Sequence, residues 1–221
     1  MLSAAKPMAL KAVVLLNVPD ILAIHGNGNP LSVEEMAAHI SSSTGKPAHT
    51  NYLFRILRFL ASIKVFSEES TAIGDGTTQF KYGLTHISKF LVKHKNEYCS
   101  APFRLVPNQK AGLNGFQHLQ ESVIERCDAF SRANGMSFYE YNCDNPEANT
   151  IFNEGMAGHT RAVMASLFKM YDGFKNVKSV VDVRGGVGSA LALILAQHPH
   201  LHGITFDLPH GIRASSPVLS E

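Results

Sequence analysis

The residue types and spacing in this chain that read most directly as ligand chemistry lie in one stretch. Gly185, Gly186 and Gly188 form a loop, Asp182 precedes them and Asp207 follows. Glycines after a strand let a ligand approach the backbone, and an acid roughly 20 residues on accepts both hydroxyls of a ribose. Asp207 stands where that acid belongs. The elements that must hold these residues are legible beside them. The β-branched run from Val180 to Val183 predicts a strand buried on both faces. The apolar stretch from Ala190 to Ala196, closed by Pro199, predicts a crossover helix, and Gly203 to Phe206 predicts a second strand. The plainer alternative is a loop whose glycines serve only helix-sheet packing.

Composition narrows the field without naming an activity. The 221 residues carry a formal charge of +2, which leaves no polyanion footprint, and 45% are hydrophobic, as in an ordinary packed chain. Cys99, Cys127 and Cys143 show no metal spacing and are odd in number, which predicts free structural thiols in a reducing compartment. The longest apolar run near the N-terminus, Ala12 to Leu16, is too short for a membrane span. The expectation is a cytoplasmic protein that binds neither membrane nor nucleic acid.

Upstream of the glycine stretch the pattern is mainly helical. Met8 to Ile24 predicts two short helices interrupted by Pro19, and Ser32 with Glu35 predicts a capping box at the start of the next helix. Thr50 to Ile63 predicts a helix with Leu53, Ile56, Leu57 and Leu60 on one face. A hairpin then runs from Val65 to Leu84 around a Gly74-Asp75-Gly76 turn. Helix, turn, helix and hairpin make a winged helix, so DNA binding is a rival reading. The second helix offers only Arg55 and Arg58, followed by Lys64, and no basic stripe, which favours a packing or dimerisation unit. Helical periods are also expected over Thr85 to Lys93, Leu113 to Arg126 and Thr150 to Tyr171. On the last, Phe152, Met156 and His159 fall in one stripe at i, i+4 and i+7. Such a stripe is ordinarily core; an aromatic, a thioether and an imidazole together also suit a flat aromatic ligand.

Several segments together resemble a known family. Asp182-x-Arg184-x-Gly186-x-Gly188 is the methyltransferase pattern Asp-x-Gly-x-Gly-x-Gly with its first glycine replaced, and Phe206-Asp207-Leu208-Pro209-His210 follows in register. With Leu53 to Ser62, Pro107 to Lys110 and Phe152 to Met156, the chain resembles the plant small-molecule O-methyltransferases of the caffeic acid type. The resemblance implies an α/β protein with a mainly α N-terminal part. A winged-helix dimerisation domain would span 1–105, connecting helices lining an acceptor pocket 106–172, and the first part of a Rossmann-like domain 173–221. It implies a homodimer, S-adenosylmethionine as cofactor, and methyl transfer to a phenolic small molecule. Gly185, Gly186, Gly188 and Asp207 would bind the cofactor, and Asn108, Phe152, Met156 and His159 would line the acceptor pocket.

The departures from the family pattern carry expectations of their own. Arg184 replaces a glycine that lies against the cofactor and is expected to weaken binding, while Ala148 and Pro107 replace a phenylalanine and a methionine of the acceptor pocket, so the acceptor is expected to differ from caffeic acid. The family's catalytic histidine lies beyond Glu221, so none of the 11 histidines is assigned as the base and the chain reads as a fragment. The alternative is a non-catalytic dimerising homologue.

Overall fold

The computed structural model describes residues 4–73, 76–93 and 99–213, which fall into two compact units, Met1–Ala101 and Pro102–Glu221. In the first, α1 (Ala5–Leu15) and α2 (Val18–His25) are separated by Asn17, whose φ of 54° ends the first helix. Asparagine enters this left-handed region at lower cost than most residues. The break expected at Pro19 is therefore misplaced. Pro19 sits in the first turn of α2, where a missing N–H forfeits no helical hydrogen bond.

β1 (Leu31–Ser32) leads into α3 (Val33–Thr44) through the expected capping box: the Glu35 N–H donates to Ser32 Oγ at 3.2 Å and the Ser32 N–H to Glu35 Oε2 at 2.7 Å. α4 (Thr50–Ser62) follows, then the antiparallel strands β2 (Phe66–Ala72) and β3 (Thr78–Leu84), with β1 completing a three-stranded sheet in the order β1-β3-β2. Gly74 and Asp75 of the expected turn lie outside the described residues. Leu53, Leu57 and Leu60 of α4 turn inward with Val13, Met36, Phe66 and Tyr82. On the outer side of α4, the Arg58 guanidinium lies 5.6 Å from the ring centre of Phe54 and 5.2 Å from that of Phe80.

The helix expected over Thr85 to Lys93 is a single 3-10 turn, Ser88–Leu91. Its neighbours draw the backbone away: Thr85 Oγ1 donates to the Val65 carbonyl at 2.7 Å, and the Lys93 N–H donates to the buried carboxylate of Asp20 at 2.8 Å. His94 and Lys95 lie outside the described residues. Among the described residues no single helix is long and apolar enough to cross a membrane. α1 and α2 are so only jointly, bent by 51°, with Val13, Val14, Val18, Ile21 and Leu22 buried.

α5 (Ala101–Leu105) carries the chain over the boundary into the second unit. Where one helix was expected from Leu113 to Arg126 there are two, α6 (Lys110–Phe116) and α7 (Leu119–Glu125). α8 (Ala129–Asn134) and α9 (Phe138–Asp144) follow. The long helix α10 starts at Pro146, earlier than the expected Thr150, and runs to Leu167. Proline at the first position of a helix is pre-set in φ and loses no bond there. A parallel pair closes the unit: β4 (Ser179–Val183), α11 (Ser189–Gln197), β5 (His202–Phe206) and a last short helix, α12 (Pro209–Arg213).

The core of this pair is one-sided. Met164, Ile194 and Leu201 are buried together, with Val180, Leu195 and Phe168 packed against them. Burial of β4 on both faces, expected from its composition, is not found: Val181 and Val183 are 55% and 65% exposed, and Ile204 and Phe206 on β5 are 47% and 67% exposed. Alternate residues of a strand point to opposite faces, and among the described residues one face of the pair has a helical layer and the other has none.

Candidate functional site

The glycine loop turns between the ends of β4 and β5. Arg184, Gly186 and Gly188 adopt φ of 64°, 57° and 77°, so three residues of five are in the left-handed region, and one of them is an arginine. That conformation costs a residue with a Cβ about 1 to 2 kcal/mol. It is sustained here because the Arg184 N–H continues the β4–β5 ladder, donating to the Phe206 carbonyl at 2.7 Å. Gly185 has a different reason to lack a side chain: a Cβ there would lie 2.6 Å from Asp182 Oδ2 and 2.9 Å from Thr205 Cγ2. Gly188 forms the N-cap of α11 and is buried.

Asp207 is tied into this loop from the far strand. Its Oδ2 accepts the Gly186 N–H at 2.7 Å, and its Oδ1 accepts the N–H of Leu208 at 2.6 Å. Asp182 shows the opposite condition. Its Oδ2 is buried and accepts no hydrogen bond, and burial first, then the nearby Asp207 charge, raises its carboxyl above the usual aspartate range.

A cavity of about 700 Å³ opens onto the loop, within the range of small-molecule and cofactor sites. Gly185, Gly186 and Asp207 line it, and so do Asp182 and Arg184. From α10 come Asn149, Phe152, Asn153, Met156 and Thr160, and from α9 Tyr139 and Asn142. Phe152 is held by an edge-to-face contact with Phe138 at 5.2 Å, which in turn meets Phe130 at 5.4 Å.

The predicted acceptor residues are thus divided. Phe152 and Met156 face the cavity, whereas His159 and Asn108 are not among its lining residues. His159 is exposed and stacks on Phe103 at 5.0 Å, and Asn108 Nδ2 donates to the Arg104 carbonyl at 2.7 Å. Helix geometry accounts for this. At 100° per residue, Asn149, Met156 and Thr160 centre the cavity face, while His159 falls towards the side of Gly155, where α10 lies against the Phe103 backbone. Asn149 and Asn153, four residues apart on α10, form a polar stripe beside the apolar one, and that spacing is the signal in the sequence that marks them.

Comparison with known proteins agrees with this geometry. A family model described as an O-methyltransferase dimerisation domain matches residues 1–94, and one described as an O-methyltransferase domain matches 116–221. Caffeic acid 3-O-methyltransferase of Ammi majus is 37% identical over 204 residues, covering 92% of this chain and 55% of the relative. Bergaptol O-methyltransferase of Kitagawia praeruptora is 34% identical over 216 residues, covering 98% and 59%. Among solved structures, an O-methyltransferase from neocarzinostatin biosynthesis in complex with S-adenosyl-L-homocysteine and 1,4-dihydroxy-2-naphthoic acid matches with a TM-score of 0.63 and 28% identity. That match covers 95% of this chain and 58% of that one. The chain thus spans little more than half the length of the relatives it matches. With both domain models matched in order and the glycine loop and Asp207 joined at one cavity, the chain belongs to the O-methyltransferase family that includes the plant caffeic acid 3-O-methyltransferases.

Proposed function

We propose that the cavity beside the glycine loop binds S-adenosylmethionine, and that the chain supplies the dimerisation unit and cofactor cradle of an enzyme that methylates a phenolic hydroxyl. The observation that carries this reading is the Asp207 carboxylate fixed on the Gly186 amide at the mouth of a cavity of about 700 Å³. Each Asp207 oxygen accepts one backbone N–H and retains acceptor capacity for one hydroxyl of a ribose. Gly186, with open space where a Cβ would project, leaves the backbone accessible to the ligand, while Gly185 and Gly188 shape the turn. When bound, the cofactor supplies an electrophilic methyl group on a sulfonium.

Phe152 and Met156 offer a polarizable apolar wall for a flat acceptor ring, and Asn149 and Asn153 offer amides for its polar substituents. Holding acceptor and methyl donor in one cavity removes much of the entropic barrier to transfer. No base is assigned to a residue of this cavity. Asp207 is engaged by two amides, and Asp182 is turned against Gly185.

The first unit is read as the homodimer contact. It leaves Leu15, Ile24, Ile87 and Phe90 between 44% and 58% exposed, apolar surface that a second copy can cover. The engagement of Arg58 by two rings of its own unit supports this reading over DNA binding, which needs free cations on that helix.

Calorimetric titration with S-adenosylmethionine tests the cofactor assignment. The chain is expected to bind, and Asp207→Ala is expected to lose at least about tenfold in affinity, as follows from removing a charge-assisted hydrogen-bond acceptor worth about 1.5 to 3 kcal/mol. An unchanged affinity in the variant would remove Asp207 from the site. Radiolabelled methyl transfer to a panel of phenols is expected to remain at background with this chain alone; turnover would place a base among its residues.

A further inference from the structure

Resting on the reading of the cavity as a cofactor site, we propose that filling it with a cationic ligand is coupled to the loss of a proton from Asp182. The site is built for this. Asp182 Oδ2 is closed off from solvent and has no hydrogen-bond donor. Gly185 abuts the carboxyl so closely that a Cβ would lie 2.7 Å from its Cγ, and Thr205, its register partner on β5, crowds the same space. A carboxylate in that position has no backbone amide donating to Oδ2, and burial of that oxygen disfavours its charged form. The Asp207 carboxylate stands at the same loop, held there by the Gly186 amide, and adds repulsion.

The titratable and charged groups lining the cavity are Asp182, Asp207, Arg184 and Tyr139; the α10 wall brings the uncharged Asn149, Asn153 and Thr160. Arg184 in the same loop is exposed, so water screens its charge, and burial and Asp207 leave Asp182 easier to protonate than an ordinary aspartate. S-adenosylmethionine carries an ammonium and a sulfonium against a single carboxylate, so its net positive charge and its N–H donors reverse that balance. The bound state therefore favours ionised Asp182, and the proton is expelled to solvent. The sign follows: as pH falls through the free-state value of Asp182, binding must displace a proton that is already in place, so affinity falls.

The test is calorimetry of S-adenosylmethionine binding to the whole chain at successive pH values from about 6.5 downward through the ordinary aspartate range, in buffers of different ionisation enthalpy. At those pH values the ligand's own α-amino group, with a pKa of about 7.7 to 8.0, stays protonated in both states and contributes no proton. The observed enthalpy is expected to depend on the buffer with the sign of proton release. The released fraction should grow as pH falls, and the affinity should fall by at most about tenfold per pH unit, the linkage limit for one proton. Asp182→Asn is expected to abolish the buffer dependence and flatten the pH profile. Carboxyl-carbon NMR of Asp182, free and bound, reads the same proton without relying on the variant. Binding whose enthalpy is identical in every buffer would overturn the coupling and leave the cofactor reading standing. Absence of any binding would overturn both.

Discussion

The two units solve the problem of supporting a small sheet in different ways. In the first, a three-stranded antiparallel sheet packs on α4 and its neighbours, and Leu57, Leu60, Met36, Val13 and Tyr82 are sealed at or below 2% exposure. In the second, two parallel strands pack on one face against the cluster of Met164, Ile194 and Leu201 and leave Val181, Val183, Ile204 and Phe206 on the other. Yet the second unit carries the candidate cofactor cavity. Binding geometry and packing density are separable. The loop is ordered by hydrogen bonds from the strand ends, the Arg184 and Gly186 amides among them, and not by the depth of the core beneath it.

Mutations can break this contrast. The largest effect is expected at Leu57, where truncation to alanine in a sealed core costs about 2 to 5 kcal/mol. Ile194→Ala, at 7% exposure in the shallower cluster, should fall at the lower end of that range. Denaturant titration of both variants decides it, and equal losses would refute the difference in packing.

Next comes Ser32→Ala, which removes the side chain that begins α3 and costs about 1 kcal/mol by the same measurement. The change should leave ligand binding at the second unit untouched.

Arg184→Gly acts in the opposite direction and in the other unit. Relieving the positive φ stabilises by up to about 1 kcal/mol after the entropy of the added glycine is deducted, and affinity for S-adenosylmethionine should rise with the loss of a long cation from the cavity. Thermal melting and calorimetry report the two effects separately. An unchanged melt would show that the strain is relaxed by other means.

The smallest effect at neutral pH belongs to Tyr82. Its hydroxyl donates to Glu68 Oε2 at 2.9 Å, and burial first, then that bond and the Glu68 charge, push its ionisation above the ordinary tyrosine value of 10.0. The folded state therefore holds this proton more tightly than the unfolded one. The stabilisation is complete below about pH 10 and is lost as pH rises through the folded-state value. Tyr82→Phe should lessen the alkaline loss of stability, as read from denaturant midpoints at pH 8 and above about pH 10.

Much of the site was legible from short-range pattern. Gly185, Gly186 and Asp207 come together because a βαβ unit fixes where the loop and the second strand end must meet. What misled was of another kind. Val180 to Val183 has the composition of a doubly covered strand, but coverage depends on which layers are present, and composition reports only what the strand would tolerate. His159 shared a stripe with Phe152, but a stripe on a 22-residue helix has two flanks, and the neighbour on each flank comes from distant sequence. Pro19 drew attention as a breaker while Asn17 performed the break, because proline is harmless in a first turn and asparagine's left-handed tolerance leaves no strong signature.

The hydrogen bond between Gly186 and Asp207 also gives the molecule a built-in reporter. A glycine amide donating to a carboxylate at 2.7 Å should resonate well downfield of the crowded amide region in a nitrogen-proton correlation spectrum. Any hydroxyl that arrives at the same carboxylate withdraws electron density from that bond and moves the peak. One backbone signal, from a residue without a side chain to perturb, can therefore count occupancy of the cavity in a mixture of candidate ligands, with no turnover and no label on the ligand.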